Sequence, residues 1–216
     1  MQAEYGRRGW QDWQELMLKD HGFLRVWWHN LHEIRPGVWR SNQPSPARVH
    51  AAADRGIKTI INLRGPRSDG GWRLEKEACD RRGMTLVDFT IRSRAVPDRD
   101  TVQKARDLFK KVEYPVLMHC KSGADRAGIM SALYLLLMEG CSADEAAEQL
   151  SMKFLHVSQA KTGLLDAFIA DFGEAEQRGA SFDEWFNNSL DPEAITNRFQ
   201  SRGWANRLVD TILKRE

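Results

Sequence analysis

The chain has 216 residues, 42% of them apolar and 29% charged, with a formal net charge of +2. Such a composition describes an ordinary globular chain, one domain with extensions or at most two small ones, with ample length for a core. So small a charge argues against nucleic acid as a partner, no apolar run is long enough to span a bilayer, and none opens the chain as a secretory signal would. Three cysteines (Cys79, Cys120, Cys141), few and odd in number, fit a reducing, cytoplasmic setting rather than a disulfide framework.

Residues 1–30 are expected to form a helical N-terminal extension, with Trp10, Trp13, Leu16 and Met17 recurring on one face. Tryptophan beside basic residues, here joined by Trp27 and Trp28, suits a helix lying on a membrane surface. Asp12, Glu15 and Asp20 dilute the basic face, which favours a helix packed on the protein instead. Pro36-Gly37 is a turn, Val38 to Arg40 a short strand, and Ser45-Pro46 opens a helix that ends near Arg55. A strand over 57–63 follows, then an exposed loop over 64–71, a helix over 72–82 and a strand over 84–91. The next helix, 101–112, buries Val102, Ala105, Leu108 and Phe109 and returns the chain to an apolar strand at 115–118. Ile129 to Met138 reads as a buried helix, and Ser142 with Glu145 as a capping box opening another helix that extends to Phe154. A loop over 156–163, a helix over 164–177 and one or two short helices broken at Pro192 complete the chain. Strands alternating with helices argue an α/β fold, a central mostly parallel sheet covered on both faces. The expected division is an extension over 1–30, a central domain over 31–175 and a C-terminal helical extension over 176–216 packed on it. Ligands of such sheets sit beyond the carboxyl ends of the strands, where Arg64, the loop 92–100 and Cys120 should meet.

The segment Val116 to Gly128 carries the chemistry. A buried strand stops at Cys120, passes through a short loop containing Gly123 and enters a helix. Backbone amides between Cys120 and Arg126 could curl into a nest at the positive end of that helix, which holds a phosphate or a similar oxyanion. The same field favours a thiolate over a thiol, and an arginine can fork two oxygens of a bound phosphoryl group. The chemistry is phosphate ester hydrolysis through a phosphocysteine. No His, Cys, Asp or Glu spacing suggests a metal site.

His119-Cys120, five residues and Arg126 resemble the signature of the cysteine-based protein-tyrosine and dual-specificity phosphatases. The stretches Trp39 to Pro44 and Ile60 to Gly65 are similar to bacterial dual-specificity-like members. The resemblance implies the dual-specificity phosphatase-like α/β fold, Cys120 as nucleophile and Arg126 as phosphate ligand. It also implies a phosphate loop of Lys121, Ser122, Gly123, Ala124, Asp125 and Arg126, His119 as a residue that shapes the loop, and no cofactor. Two departures stand out. Ala127 replaces the Ser or Thr that usually follows the arginine, and Asp125 precedes it, as in the myotubularin lipid phosphatases. Asp125 is therefore the expected general acid, with Asp98 the alternative in the loop where dual-specificity phosphatases carry theirs. Arg64, Arg92 and Arg94, with Arg99 and Lys121, form a possible basic rim. The expected partner is a phosphorylated substrate, either a protein phosphoresidue or a phosphorylated lipid, inositol or sugar. A phosphate-binding pseudophosphatase is the second alternative. Cys79 is either a redox partner of Cys120 or inert core.

Overall fold

The computed structural model describes residues 9–19 and 28–201, so Asp20, Trp27 and the chain beyond 201 lie outside the described residues. The protein packs as two compact units, residues 1–91 with 108–131 and residues 92–107 with 132–216. Among the described residues, those expected as an N-terminal extension fall in the first unit and those expected as a C-terminal one in the second.

The first unit is built on a five-stranded sheet in the order β1-β2-β5-β3-β4. Its strands are β1 (His32–Arg35), β2 (Val38–Ser41), β3 (Thr59–Asn62), β4 (Thr85–Asp88) and β5 (Val116–His119). All neighbours are parallel except the edge hairpin β1–β2, which turns at Pro36-Gly37. β1 is absent from the sequence reading because only Ile34 in it is apolar and no alternation marks it. An edge strand needs one partner and little core, so polar residues suffice.

Parallel register fixes which side chains share a face. Trp39, Leu117, Ile60 and Leu86 stand in one row across β2, β5, β3 and β4. That face is covered by α2 (Pro46–Asp54) and α3 (Gly70–Arg81), which bring Val49, Ala52, Ala78 and Cys79 into one apolar cluster with Ile57 and Met84. Cys79 is therefore core, closed to solvent, and burial pushes its thiol up to about 12. The opposite row holds Arg40, Met118, Ile61 and Val87. The α3 helix starts two residues earlier than the pattern suggests, because the Asp69 carboxylate accepts from Trp72 N at 3.1 Å and caps it.

The N-terminal segment, helical over 9–14 with a π turn at Glu15–Lys19, packs on the start of α3. Leu16 is buried, Asp12 pairs with Arg73 at 2.5 Å, and Glu15 accepts from Gly70 N at 2.8 Å. A Cβ on Gly70 would run into the backbone of Asp12, so the close approach requires glycine there. Trp10 and Trp28 remain about half exposed.

The helices α4 (Arg99–Lys111) and α5 (Asp125–Tyr134, continued by a π turn at Leu135–Glu139) each begin in one unit and end in the other. The second unit contains α6 (Ala143–Ala147), α7 (Leu164–Glu176), α8 (Phe182–Asn188) and a helix over 192–201. The α6 helix is much shorter than expected. Turns and a short 3-10 segment at Met152–Phe154 replace its expected second half, and past Leu155 (φ 65°) His156 turns into the interior, its Nε2 2.8 Å from Asp166 Oδ2. The capping box at Ser142 is only half formed, Ser142 accepting from Glu145 N, whereas a reciprocal box closes at Ser181 and Glu184. Trp185 anchors this unit, packed among Phe168, Phe172 and Phe182 with its indole N–H donated to Asp171 at 3.0 Å. Arg99, expected at a basic rim, instead donates to the carbonyls of Phe186, Asn187 and Leu190 at the end of α8.

Trp185 is 1% exposed, so Trp185→Ala removes the largest buried ring of this unit and the donor to Asp171 Oδ2, leaving Asp171 paired with Arg198. We expect a loss of about 3–5 kcal/mol in urea or thermal unfolding; a loss below about 1 kcal/mol would show that the aromatic cluster is not the unit's core.

Candidate active site

The last residues of four strands, Ser41, His119, Asn62 and Asp88, stand in one register row, so the chain segments that follow them leave the sheet at a common edge. Burial on both faces makes the strands apolar, and the polar residues collect where the strands stop. The segment after β5 is the loop from Cys120 to the start of α5 at Asp125.

Four successive carbonyls of this loop are bonded away from its concave side. Lys121 O accepts from Gln43 N at 3.3 Å and Ser122 O from Asn30 Nδ2 at 3.0 Å. Gly123 O and Ala124 O both accept from Arg40 Nη2, at 2.8 and 3.0 Å. A trans peptide points its N–H opposite to its C=O, so the amides of Ser122, Gly123, Ala124 and Asp125 turn the other way. Gly123 N shows the result directly, donating to Cys120 Sγ at 3.3 Å. The turn needs Gly123: its φ is +76°, and a Cβ would lie 2.8 Å from Asn42 N and from the Ser41 carbonyl carbon.

Cys120 is 2% exposed at the base of this nest. Arg126, one residue into α5, is half-buried, and its guanidinium makes no hydrogen bond or ion pair with another described residue. Ala127 is fully buried, and Ser122 is exposed with its Oγ near Ala124 N at 3.4 Å. Lys121 is half-buried, and Asp125, also half-buried, opens α5 within the loop.

His119 lies under the loop, fully buried. Its Nδ1 is 3.4 Å from Cys120 O, and its Nε2 is 2.7 Å from Glu75 Oε1, off the line of a straight N–H bond. Glu75 Oε2 accepts from Gln43 Nε2 at 2.6 Å, and Gln43 Oε1 accepts from Arg64 Nη1 at 2.9 Å. A chain of polar contacts thus runs from His119 through a buried carboxylate to Arg64, which joins the site through Gln43. The sequence reading did not single out Arg40, Gln43, Asn30 or Glu75. Arg40 and Gln43 lay in the stretch that carried the family resemblance, so their positions were visible while their roles were not. Glu75 occurs on an amphipathic helix, where a carboxylate usually means solvent.

Arg92, Arg94 and Asp98 belong to the second unit, and all three are exposed. Asp98 caps α4, its Oδ1 accepting from Thr101 N at 2.8 Å. That bond, with Arg92 and Lys104 nearby, holds its carboxyl below the usual range. A carboxyl held ionised is a poor proton donor near neutrality. Arg67 pairs with the exposed face of Asp69 and takes no part.

A family model described as "DSP-PTPase phosphatase fused to NAD+ Kinase" matches residues 27–166. The chain belongs to this family and, with it, to the cysteine-based phosphatases. It is 26% identical over 122 residues to the dual specificity protein phosphatase TpbA of Pseudomonas aeruginosa, across 56% of this chain and 53% of the relative. The chain thus spans about half the length of the curated relatives it matches. The crystal structure of P. aeruginosa TpbA superposes with a TM-score of 0.55 at 22% identity, covering 66% of this chain and 84% of that one. A second structure of that protein, in complex with pTyr, gives 0.53 over 68% and 89% at the same identity. These superpositions show the expected dual-specificity phosphatase-like fold.

The cap at Asp98 has a pH signature. Its carboxyl is lowered in the folded state, so its contribution is present above the unfolded-state value of about 4 and is lost as pH falls through the folded one. Asp98→Ala should cost about 0.5–2 kcal/mol at pH 7, and the gap to wild type should close as pH drops below about 4. Asp98→Asn, which caps without charge, should lack that dependence. Urea titrations at several pH values check this, and a gap constant down to pH 3 would contradict the assignment.

Proposed function

We propose that the protein is a cysteine-dependent phosphomonoester hydrolase of the dual-specificity type. The observation that carries the reading is the nest itself: four loop carbonyls bonded outward around a buried cysteine that already accepts from a loop amide. Those amides and the Arg126 guanidinium suit the three non-bridging oxygens of a phosphoryl group. Cys120 Sγ attacks phosphorus, the S–P bond forms and the ester P–O bond breaks. The departing oxygen takes a proton from Asp125, which opens α5 inside the loop. Water then attacks the phosphocysteine and gives a proton to the Asp125 carboxylate, the S–P bond breaks, and inorganic phosphate leaves with the thiolate and the acid restored. His119 shapes the loop from beneath.

Phosphorylated protein residues are the substrate class this reading favours, supported by the name of the TpbA relative and by the pTyr complex of its fold neighbour. Lys121 and Asp125 within the loop support the second substrate class, a phosphorylated lipid, inositol or sugar. Exposed Trp10 and Trp28 would serve contact with a membrane in that case. Cys79, Cys120 and Cys141 form no disulfide with one another, in keeping with a cytoplasmic, reducing setting. A panel of phosphopeptides, phosphoinositides and sugar phosphates ranked by kcat/KM separates the two classes.

Cys120→Ser should retain the fold and the binding of orthovanadate while losing turnover of an aryl phosphate, because the alcohol is a far weaker nucleophile. A Ser variant with wild-type turnover would overturn the mechanism.

The acid is tested separately by leaving group. Asp125→Asn should depress hydrolysis of alkyl phosphates by about 100-fold or more and spare an activated aryl phosphate, which departs without a proton. Equal losses on both substrates, with the selective loss in Asp98→Asn, would move the role to Asp98.

A further inference from the structure

Arg40 is an unusual residue to find where it is. It stands on β2 in register with Met118, on the sheet face opposite to Trp39, and is 0% exposed. Guanidinium groups are almost never closed to water unless something demands the charge there. Burial lowers its pKa to about 10, with Cys120 and Asp125 pulling it back up, so it stays a cation at neutral pH. Its Nη2 spans two consecutive carbonyls of the phosphate loop, Gly123 and Ala124, at 2.8 and 3.0 Å. Gly123 is also the residue whose Cβ position is filled by Ser41 and Asn42, the two residues that follow Arg40. One short segment, 40–43, therefore holds the loop from behind: Arg40 by two carbonyls, Asn42 and Ser41 by contact, Gln43 by Lys121 O.

We infer that Arg40 is a positioning residue of the phosphate loop, holding the Gly123 and Ala124 carbonyls outward so that the following amides face an oxyanion, and adding a buried positive charge behind it. The inference rests on the phosphocysteine reading for its catalytic consequence, but not for its effect on anion binding. Two carbonyls drawn to one cation leave the amides of Ala124 and Asp125 aimed at the pocket without cost at the moment of binding, which is how preorganised donors act. The Ala124 carbonyl is also held by Gly128 N at 2.8 Å, so a neutral residue of the same length would fill the space, let the Gly123 peptide turn and remove the charge behind both.

The test compares Arg40→Met, which keeps length without charge or donor, with Arg40→Lys, which keeps charge and donor but not the planar fork. Orthovanadate affinity, measured by calorimetry on the full chain, should fall about 100-fold in the Met variant and about tenfold in the Lys variant. kcat/KM for an aryl phosphate should fall in the same order, while Tm for the Lys variant stays near wild type. A Met variant that folds and binds vanadate within threefold of wild type would overturn the inference. So would equal losses of affinity in Lys and Met that track equal losses of Tm, since that is the behaviour of a packing residue. If the Met variant does not fold, the Lys variant carries the test, and unchanged vanadate affinity there overturns it. A wild type that binds vanadate yet hydrolyses no phosphate ester would defeat the phosphatase reading alone and leave the binding comparison intact.

Discussion

Turning a run of peptide units so that their carbonyls point out and their amides point in is the constraint on which the rest of the structure depends. A peptide left to itself in a tight loop has no preference for that orientation, and a bare row of amides facing one spot is electrostatically unfavourable without an anion. Each outward carbonyl therefore needs a donor. Gln43 N, Asn30 Nδ2 and Arg40 Nη2 supply them from the segments around β1 and β2. The sheet exists in the order it does partly to bring β2 beside β5, so that the donors lie against the loop.

A set of buried polar side chains is the second consequence. Arg40, Glu75 and His119 are all closed to solvent within the first unit, a costly arrangement in a chain of this size. Packing alone would be served better by apolar side chains of equal volume. Their contacts explain the choice: Arg40 meets the loop carbonyls, and Glu75 joins His119 to Gln43, whose backbone holds Lys121 O. The polar residues under the loop form a connected set, while the α2/α3 face of the same sheet is apolar throughout its cluster. The sheet thus has one face for stability, and at its carboxyl edge a polar network that shapes an anion site.

The two candidate acids show how local context sorts identical side chains. Asp98 spends its carboxylate on the first turn of α4, where it satisfies an otherwise unpaired amide and is kept ionised. Asp125 occupies the first position of α5, where its backbone belongs to the phosphate loop. Both sit at helix N-termini, a common place for aspartate, and the bond from Thr101 N identifies Asp98 as a cap.

Period and punctuation in the amino-acid sequence were enough for the alternation of strands and helices, for the parallel sheet and for the place of Cys120 and Arg126, because burial on two faces writes apolar runs that turn residues interrupt. The loop from Cys120 to Asp125 was legible since its residues are contiguous. Three things were not. β1 carries no apolar alternation, because an edge strand is stabilised by backbone pairing that side-chain pattern does not record. The burial of His156 against Asp166 joins residues ten apart across a loop, a pairing that helical periodicity cannot see. The roles of Arg40 and Glu75 were not marked, since sequence offers no sign that a carbonyl 83 residues later, or a histidine on another element, will meet them in the interior. Long-range hydrogen bonds to backbone atoms leave no trace in residue type, and the residues that hold this loop act through such bonds.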